Sequence, residues 1–351
     1  MPAARPMTAT PRKPARSPVP AWSRKDLLGL RGLSRDELLA LLARTRELAL
    51  VATDPATRTG HLAGRLVATM FFEDSTRTRT SFTLAAERLS GTVSDLSAST
   101  SSVKKGESLI DTARVVESMG VSAMVVRTRQ AGAAAMIAGA VRCPVINGGD
   151  GRHEHPTQGL LDLYTIAGAH GRLDGFDLSG LTLAIVGDVA SSRVARSVIA
   201  GMMLLGGRVA VAGPPAFAPR SLSALGCEVA PDIDELIPRA DAVMMLRIQF
   251  ERHGAGPSAA HADGGRLPPA AAAGSSIASP REYRELYGLT TERAARLKPG
   301  AIVMHPGPMN RGLEIDGEVA DSARSVILQQ TAHGVAARMA ALSLCVEAAG
   351  S

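Results

Sequence analysis

Aromatic side chains make up only 3% of the 351 residues, and there is a single tryptophan. Elements in such a chain pack through alanine, valine, leucine and glycine, and a hydrophobic content of 45% fills more than one core of that kind. Cysteine is scarcer still. Cys143, Cys227 and Cys345 are widely spaced and odd in number, which excludes a disulfide framework or a zinc knuckle and points to reduced thiols in a cytoplasmic protein. Clusters of histidine, cysteine and carboxylate with metal-ligand spacing are missing, so no metal is expected. No apolar run approaches the ~18 residues of a spanning helix, so no membrane is expected. Acid is absent from residues 1–25, whose six basic side chains equal the whole net charge of +6. The rest is formally neutral, and charge confined to a proline-rich tail is a weak footprint for nucleic acid.

What is present is an alternation of apolar runs and amphipathic stretches. Residues 1–21 (proline, alanine, arginine, serine, threonine) carry too little apolar surface to fold and read as a disordered tail. Ser34-Arg-Asp-Glu37 is a capping box opening a helix. Leu66–Phe72, Ala123–Val126, Val145–Asn147, Leu181–Gly187, Arg208–Ala212, Ala242–Leu246 and Ala301–Met304 read as strands, and the stretches between several of them have helical spacing. Strands alternating with helices imply parallel sheets with ligands at the C-terminal strand ends. The length implies two domains. Gly187-Asp188 follows a strand, but Gly-x-Gly-x-x-Gly spacing is absent, so no nucleotide cofactor is expected. Residues 254–276, rich in glycine, alanine, proline and serine, read as an unstructured insertion.

The most informative segment is Phe71-Phe-Glu-Asp-Ser-Thr-Arg-Thr-Arg-Thr-Ser-Phe82. A buried strand breaks into hydroxyls and guanidiniums, and a helix is expected from Ser81. Ser75, Thr76, Arg77 and Thr78 would lie at a strand-to-helix turn, where backbone N–H groups and the helix dipole attract an anion. Two arginines two residues apart add donors suited to phosphate oxygens. The same residues also fit an ordinary N-cap followed by solvated arginines. The local pattern leaves both open.

This segment resembles the carbamoyl-phosphate loop of the transcarbamylases, and further motifs follow in the family's order: Arg127 after a strand, His155-Pro-Thr-Gln158, Arg193 after Val186-Gly-Asp188, Arg247-Ile-Gln249-Phe-Glu-Arg252, and His305-Pro-Gly-Pro308. The likeness runs from about Lys25 to Ala349 and, within the superfamily, is greatest to the aspartate carbamoyltransferase catalytic chains. It implies an α/β fold of two domains, each a parallel sheet flanked by helices, joined by two interdomain helices. A carbamoyl-phosphate-binding domain would comprise residues 22–158 with 330–351, and an aspartate-binding domain residues 171–325. By resemblance, Ser75, Thr76, Arg77 and Thr78 hold the phosphate, and Arg127 reaches phosphate and carbonyl. His155 donates to the carbonyl oxygen and Gln158 accepts from the carbamoyl NH2, while Gly307 and Pro308 belong to the turn whose carbonyls face the amine. The bond before Pro308 is a candidate cis peptide. Ser101 and Lys105 match a loop lent by a neighbouring subunit, which implies a homotrimer with shared sites. Arg193 and Arg247, supported by Gln249, match the residues for the two carboxylates of L-aspartate. Glu73, Arg193 and Arg252 match a group that stabilises domain closure. Higher assembly with dihydroorotase or regulatory chains stays open. An ornithine-type relative is the nearest rival, but its His-Cys-Leu-Pro turn is absent, and Ser118-Met119-Gly120 lies in the wrong domain for its Ser-Met-Gly segment.

Overall fold

The computed structural model describes residues 21–97, 107–248 and 279–350. β1 (Leu66–Phe71), β2 (Thr92–Ser97), β3 (Ala123–Thr128) and β4 (Val145–Asp150) form one sheet in the order β2-β1-β3-β4. β5 (Thr182–Val186), β6 (Arg208–Ala212), β7 (Glu228–Val229), β8 (Ala242–Met245) and β9 (Ile302–Met304) form a second, ordered β7-β6-β5-β8-β9. Every strand pairing is parallel. Parallel strands are covered on both faces, which is why β3 and β4 are buried along their whole length and read as near-continuous runs.

Around the first sheet lie α1 (Arg35–Thr53), α2 (Thr76–Arg88), α3 (Leu109–Ser118) and α4 (Ala133–Ala138). α5 (Pro156–Ala169) leads to the second sheet, whose helices are α6 (Arg193–Leu204), α7 (Ile233–Leu236), α8 (Pro280–Tyr287), α9 (Thr291–Ala295) and α10 (Gly317–Ala320). α11 (Ile327–Ala349) then returns to pack on α1, α2 and α5. The capping box at α1 forms as expected: Ser34 Oγ accepts from the Glu37 N–H, and Glu37 accepts from the Ser34 N–H.

One apolar core runs from the first sheet (Val67, Val125, Ile146) through α5 and α6 (Leu163, Val198, Met202) to the second sheet (Leu183, Ile185, Met244). The two lobes therefore share their innermost packing at the seam. On the outer face of the first sheet, Met70, Met124 and Val126 pack against Val116 and Ile137 of α3 and α4. Val186, Val243 and Met245 pack against Ile233 and Leu236 of α7 on the outer face of the second. Among the described residues no helix is long and apolar enough to cross a membrane, and no group of side chains is arranged to hold a metal. Cys143, Cys227 and Cys345 are free thiols.

The structure differs from the sequence reading at element ends. α2 starts at Thr76 rather than Ser81, so the hydroxyl-rich turn is itself the first helical turn. β3 and β4 run on through Arg127 and Asp150, which places Arg127 inside its strand.

Candidate active site

In each sheet the strand order reverses once, between β1 and β3 in the first and between β5 and β8 in the second. Such a reversal opens a crevice at the C-terminal strand ends, where chain segments leave in opposite directions. The two crevices face one another across a shared cavity of about 980 Å3. Glu73, Ser75 and Arg77 enter it after β1, Arg127 from the end of β3, His155 after β4, Arg193 after β5, Arg247 after β8 and the 305–308 turn after β9.

Ser75 is the N-cap of α2, yet its side chain makes no capping hydrogen bond, unlike Ser34 at α1. The first-turn N–H groups have no helical acceptor and, with Thr76, Arg77 and Thr78, border the cavity. Of the two arginines in the motif only Arg77 does so. Arg79 lies against the Phe71 ring at 5.3 Å, because residues two apart on a helix leave on different sides. Burial, followed by the nearby Arg247 charge, lowers the Arg77 pKa from its ordinary value.

Glu73 pairs bidentately with Arg193 at 2.8 and 3.0 Å, and Arg127 adds a third contact to the same carboxylate at 3.3 Å. Arg127 also donates to the Gly148 carbonyl at 3.0 Å. Gly149 makes this convergence feasible: its φ is +114°, and a β-carbon there would sit 3.0 Å from both Arg127 Nη1 and Arg193 Nε. A carboxylate from the first lobe thus holds an arginine of the second.

His155 is the N-cap of α5, with Pro156 at the first helical position. Its backbone N–H donates to Ser197 Oγ at 2.9 Å, and Ser197 donates on to Glu154 at 2.8 Å. Glu154 also accepts from the Leu30 and Arg31 N–H groups. Burial, reinforced by Arg127, Arg338 and Arg193, holds the imidazole pKa well below its usual value. It is therefore neutral at pH 7, with one ring N–H to donate and Nδ1 without a hydrogen bond among the described residues.

The 305–308 turn is fixed from behind. His305 Nδ1 accepts from the Gly307 N–H at 2.7 Å, so the ring proton is on Nε2, which faces Glu314 at 3.2 Å. The Gly307–Pro308 peptide is cis, and Gly307 has φ +66° beside Arg77.

The carbamoyl-phosphate-binding domain of the aspartate/ornithine carbamoyltransferases matches residues 25–168, and the Asp/Orn binding domain of the same family matches residues 179–345. The chain belongs to the aspartate/ornithine carbamoyltransferase family. A protein of Myxococcus xanthus named aspartate carbamoyltransferase catalytic subunit is 48% identical over 92% of this chain and 99% of its own length. An aspartate transcarbamoylase of Trypanosoma cruzi, solved with carbamoyl phosphate and aspartate, superposes with a TM-score of 0.76 at 26% identity, over 94% of this chain and 99% of that one. The catalytic subunit of M. Jannaschii aspartate transcarbamoylase gives a TM-score of 0.73 at 31% identity, over 92% of this chain and 98% of that one.

Measured against the family motifs, the cavity gathers Glu73, Ser75, Thr76, Arg77, Thr78, Arg127, His155, Gln158, Arg193, Arg247, Gly307 and Pro308. Ser101, Lys105, Gln249 and Arg252 lie outside the described residues, as do the tail to residue 20 and the 254–276 insertion. Sequence reading passed over Arg338, Gln330, Asp162, Arg129 and Arg152. Arg338 borders the cavity from α11 and rests on the Phe82 ring at 5.3 Å. Burial lowers its pKa to about 10, with Asp162 opposing the shift. An arginine within the apolar Gly334–Leu344 run was the available signal. Arg129 and Arg152 are exposed at the cavity mouth.

Proposed function

We propose that this carbamoyltransferase-family chain transfers the carbamoyl group of carbamoyl phosphate to the amine of L-aspartate, giving N-carbamoyl-L-aspartate and phosphate, an early step of pyrimidine biosynthesis. The observation that carries the reading is the meeting of two pairs of arginines, Arg77 with Arg127 and Arg193 with Arg247, around a neutral His155 in one cavity. Each pair stands at a strand-order reversal of its own sheet.

In this reading Ser75, Thr76, Arg77 and Thr78 hold the phosphate, Arg127 bridges phosphate and carbonyl oxygen, and the His155 N–H donates to that oxygen. Negative charge grows there as the amine attacks, and a preset donor is worth about 3 kcal/mol in the transition state. Gln158 accepts from the carbamoyl NH2, and the carbonyls of the 305–308 turn orient the amine. The departing phosphate takes the amine proton, so positioning and charge stabilisation do the catalytic work. Arg193 and Arg247, with Gln249, receive the two carboxylates. A dicarboxylate satisfies both guanidiniums, whereas the side-chain ammonium of ornithine would be repelled by them.

The carbamoyl-phosphate lobe in this reading is residues 22–158 with 330–351, and the aspartate lobe residues 171–325. The active form is a cytoplasmic homotrimer in which Ser101 and Lys105 serve the neighbouring protomer's site, and Glu73, Arg193 and Arg252 hold the lobes closed. Assaying the purified protein with aspartate and with ornithine as acceptors tests the reading: product from aspartate is expected, and product from ornithine alone overturns it.

A further inference from the structure

Asp162 lies one turn beyond Gln158 on α5, behind the cavity wall, and is completely buried. Its Oδ1 accepts from Gln158 Nε2 at 3.1 Å and from Gln330 Nε2 at 2.8 Å. Gln158 and Gln330 both border the cavity. With its Nε2 committed, Gln330 turns its Oε1 to the backbone N–H of His305 at 3.0 Å, at the entrance to the 305–308 turn. One carboxylate oxygen thus anchors side chains on two different walls.

An amide has two ends of nearly equal size and opposite hydrogen-bonding sense, so shape alone does not orient it. An ionised carboxylate only accepts, and therefore demands the NH2 end of each glutamine. That leaves Oε1 as the remaining polar atom of Gln158, the end needed to accept from a carboxamide. Burial raises the Asp162 pKa to about 7, while the hydrogen bonds from Gln330 and Gln158 and the charge of Arg338 oppose the shift, so the ionised carboxylate is the form present above that value. Asp162 Oδ2 has no hydrogen-bond partner among the described residues, so the orienting contact rests on Oδ1 alone.

We propose that Asp162 is a positioning residue: it fixes the amide direction of Gln158 and Gln330, so that the cavity presents an acceptor to the carbamoyl NH2 and the 305–308 turn is held in register with it. The inference rests on the carbamoyl-transfer reading and adds to it a residue that touches no substrate.

The test separates the carboxamide from the phosphate. Phosphonoacetamide carries a phosphonate and a carboxamide, whereas inorganic phosphate lacks the group that Gln158 would read. In calorimetric titrations of the full-length protein at pH 8, where Asp162 is ionised, Asp162→Ala is expected to weaken phosphonoacetamide about tenfold or more, the scale of one oriented hydrogen bond, and to leave phosphate within about twofold. Unchanged phosphonoacetamide affinity, or equal weakening of both ligands, overturns the proposal. Should Asp162→Ala fail to fold, an exchange of groups decides at pH 8. Gln158→Glu sets two carboxylates against each other and loses phosphonoacetamide affinity. Adding Asp162→Asn to it restores a donor between them and recovers the affinity about tenfold. Absence of that recovery refutes the role of Asp162. A wild-type protein that forms no carbamoylated aspartate refutes the underlying reading instead.

Discussion

Replacing Gly307 by alanine probes the phosphate side of the cavity through a single methyl group. The residue has φ +66°, where a β-carbon costs about 1–2 kcal/mol. The methyl also falls on the Arg77 guanidinium, 2.9 Å from Cζ and 3.3 Å from Nη2, with Nη1 nearer still. Carbon prefers about 3.5–4.0 Å from its neighbours, so one side must yield. The turn is the stiffer side: Gly307 is bonded to His305, and His305 is buried between Gln330 and Glu314. Arg77 moves instead. Each charge-assisted hydrogen bond it loses is worth about 1.5–3 kcal/mol, which predicts a ~10- to 100-fold fall in kcat/KM for carbamoyl phosphate. The KM for aspartate should change by less than about threefold, and the inhibition constant of inorganic phosphate should rise with the loss of carbamoyl-phosphate affinity. Steady-state kinetics with each substrate varied in turn reads all three quantities. Carbamoyl-phosphate and phosphate constants that both stay within about twofold of wild type would refute the placement of Arg77 at the phosphate.

Arg193→Ala removes the bidentate partner of Glu73 and one proposed carboxylate receptor, so the KM for aspartate should rise about tenfold or more while phosphate inhibition changes little; initial-rate kinetics and phosphate titration check both. His155 has a folded pKa held well below its unfolded value near 6.5, so the unfolded chain takes up the proton first as pH falls. Its contribution to stability is full above that value and is lost as pH drops through it. Between pH 8 and 5 the Tm of the wild type should therefore fall more than that of His155→Gln. Asp162 has the opposite sense: burial raises its pKa to about 7, so the folded chain keeps a proton that the unfolded chain releases near pH 4. Its contribution to stability declines as pH rises through that window, and Asp162→Asn should remove this decline from the same melting series.

The strands of both lobes were legible because strands covered on both faces become apolar runs, and Leu66–Phe71 or Thr182–Val186 look like little else. β2 and β7 were not foreseen: Thr-Val-Ser-Asp-Leu-Ser alternates at a sheet edge and has no run to detect, and Glu228–Val229, at the edge of the other sheet, is only two residues long. α4, six residues of mostly alanine, is too short for a helical period to register. Arg77, Arg127, His155 and Arg193 could be read as site residues because each follows or ends a strand within a long motif. Asp162 and Gln330 could not, since their importance depends on the crossing of α5 and α11, which are far apart in the sequence, while Arg338 offered only its place in an apolar run. Likewise, a dipeptide spacing made Arg79 look like a companion to Arg77, and only the helix start at Thr76 turns it towards Phe71 instead.

The return of α11 to α1, α2 and α5 has a consequence for how the polypeptide matures during translation. All four strands of the first sheet have been synthesised by Asp150, yet the helix that closes over its neighbours ends at Ala349. The second sheet, by contrast, is complete once Met304 has been added. Lobes usually fold in the order they are made. In this chain the half begun first is finished last, so synthesis halted after Ala320, where α10 ends, leaves every described element of the second half made but a first half with its apolar side still bare.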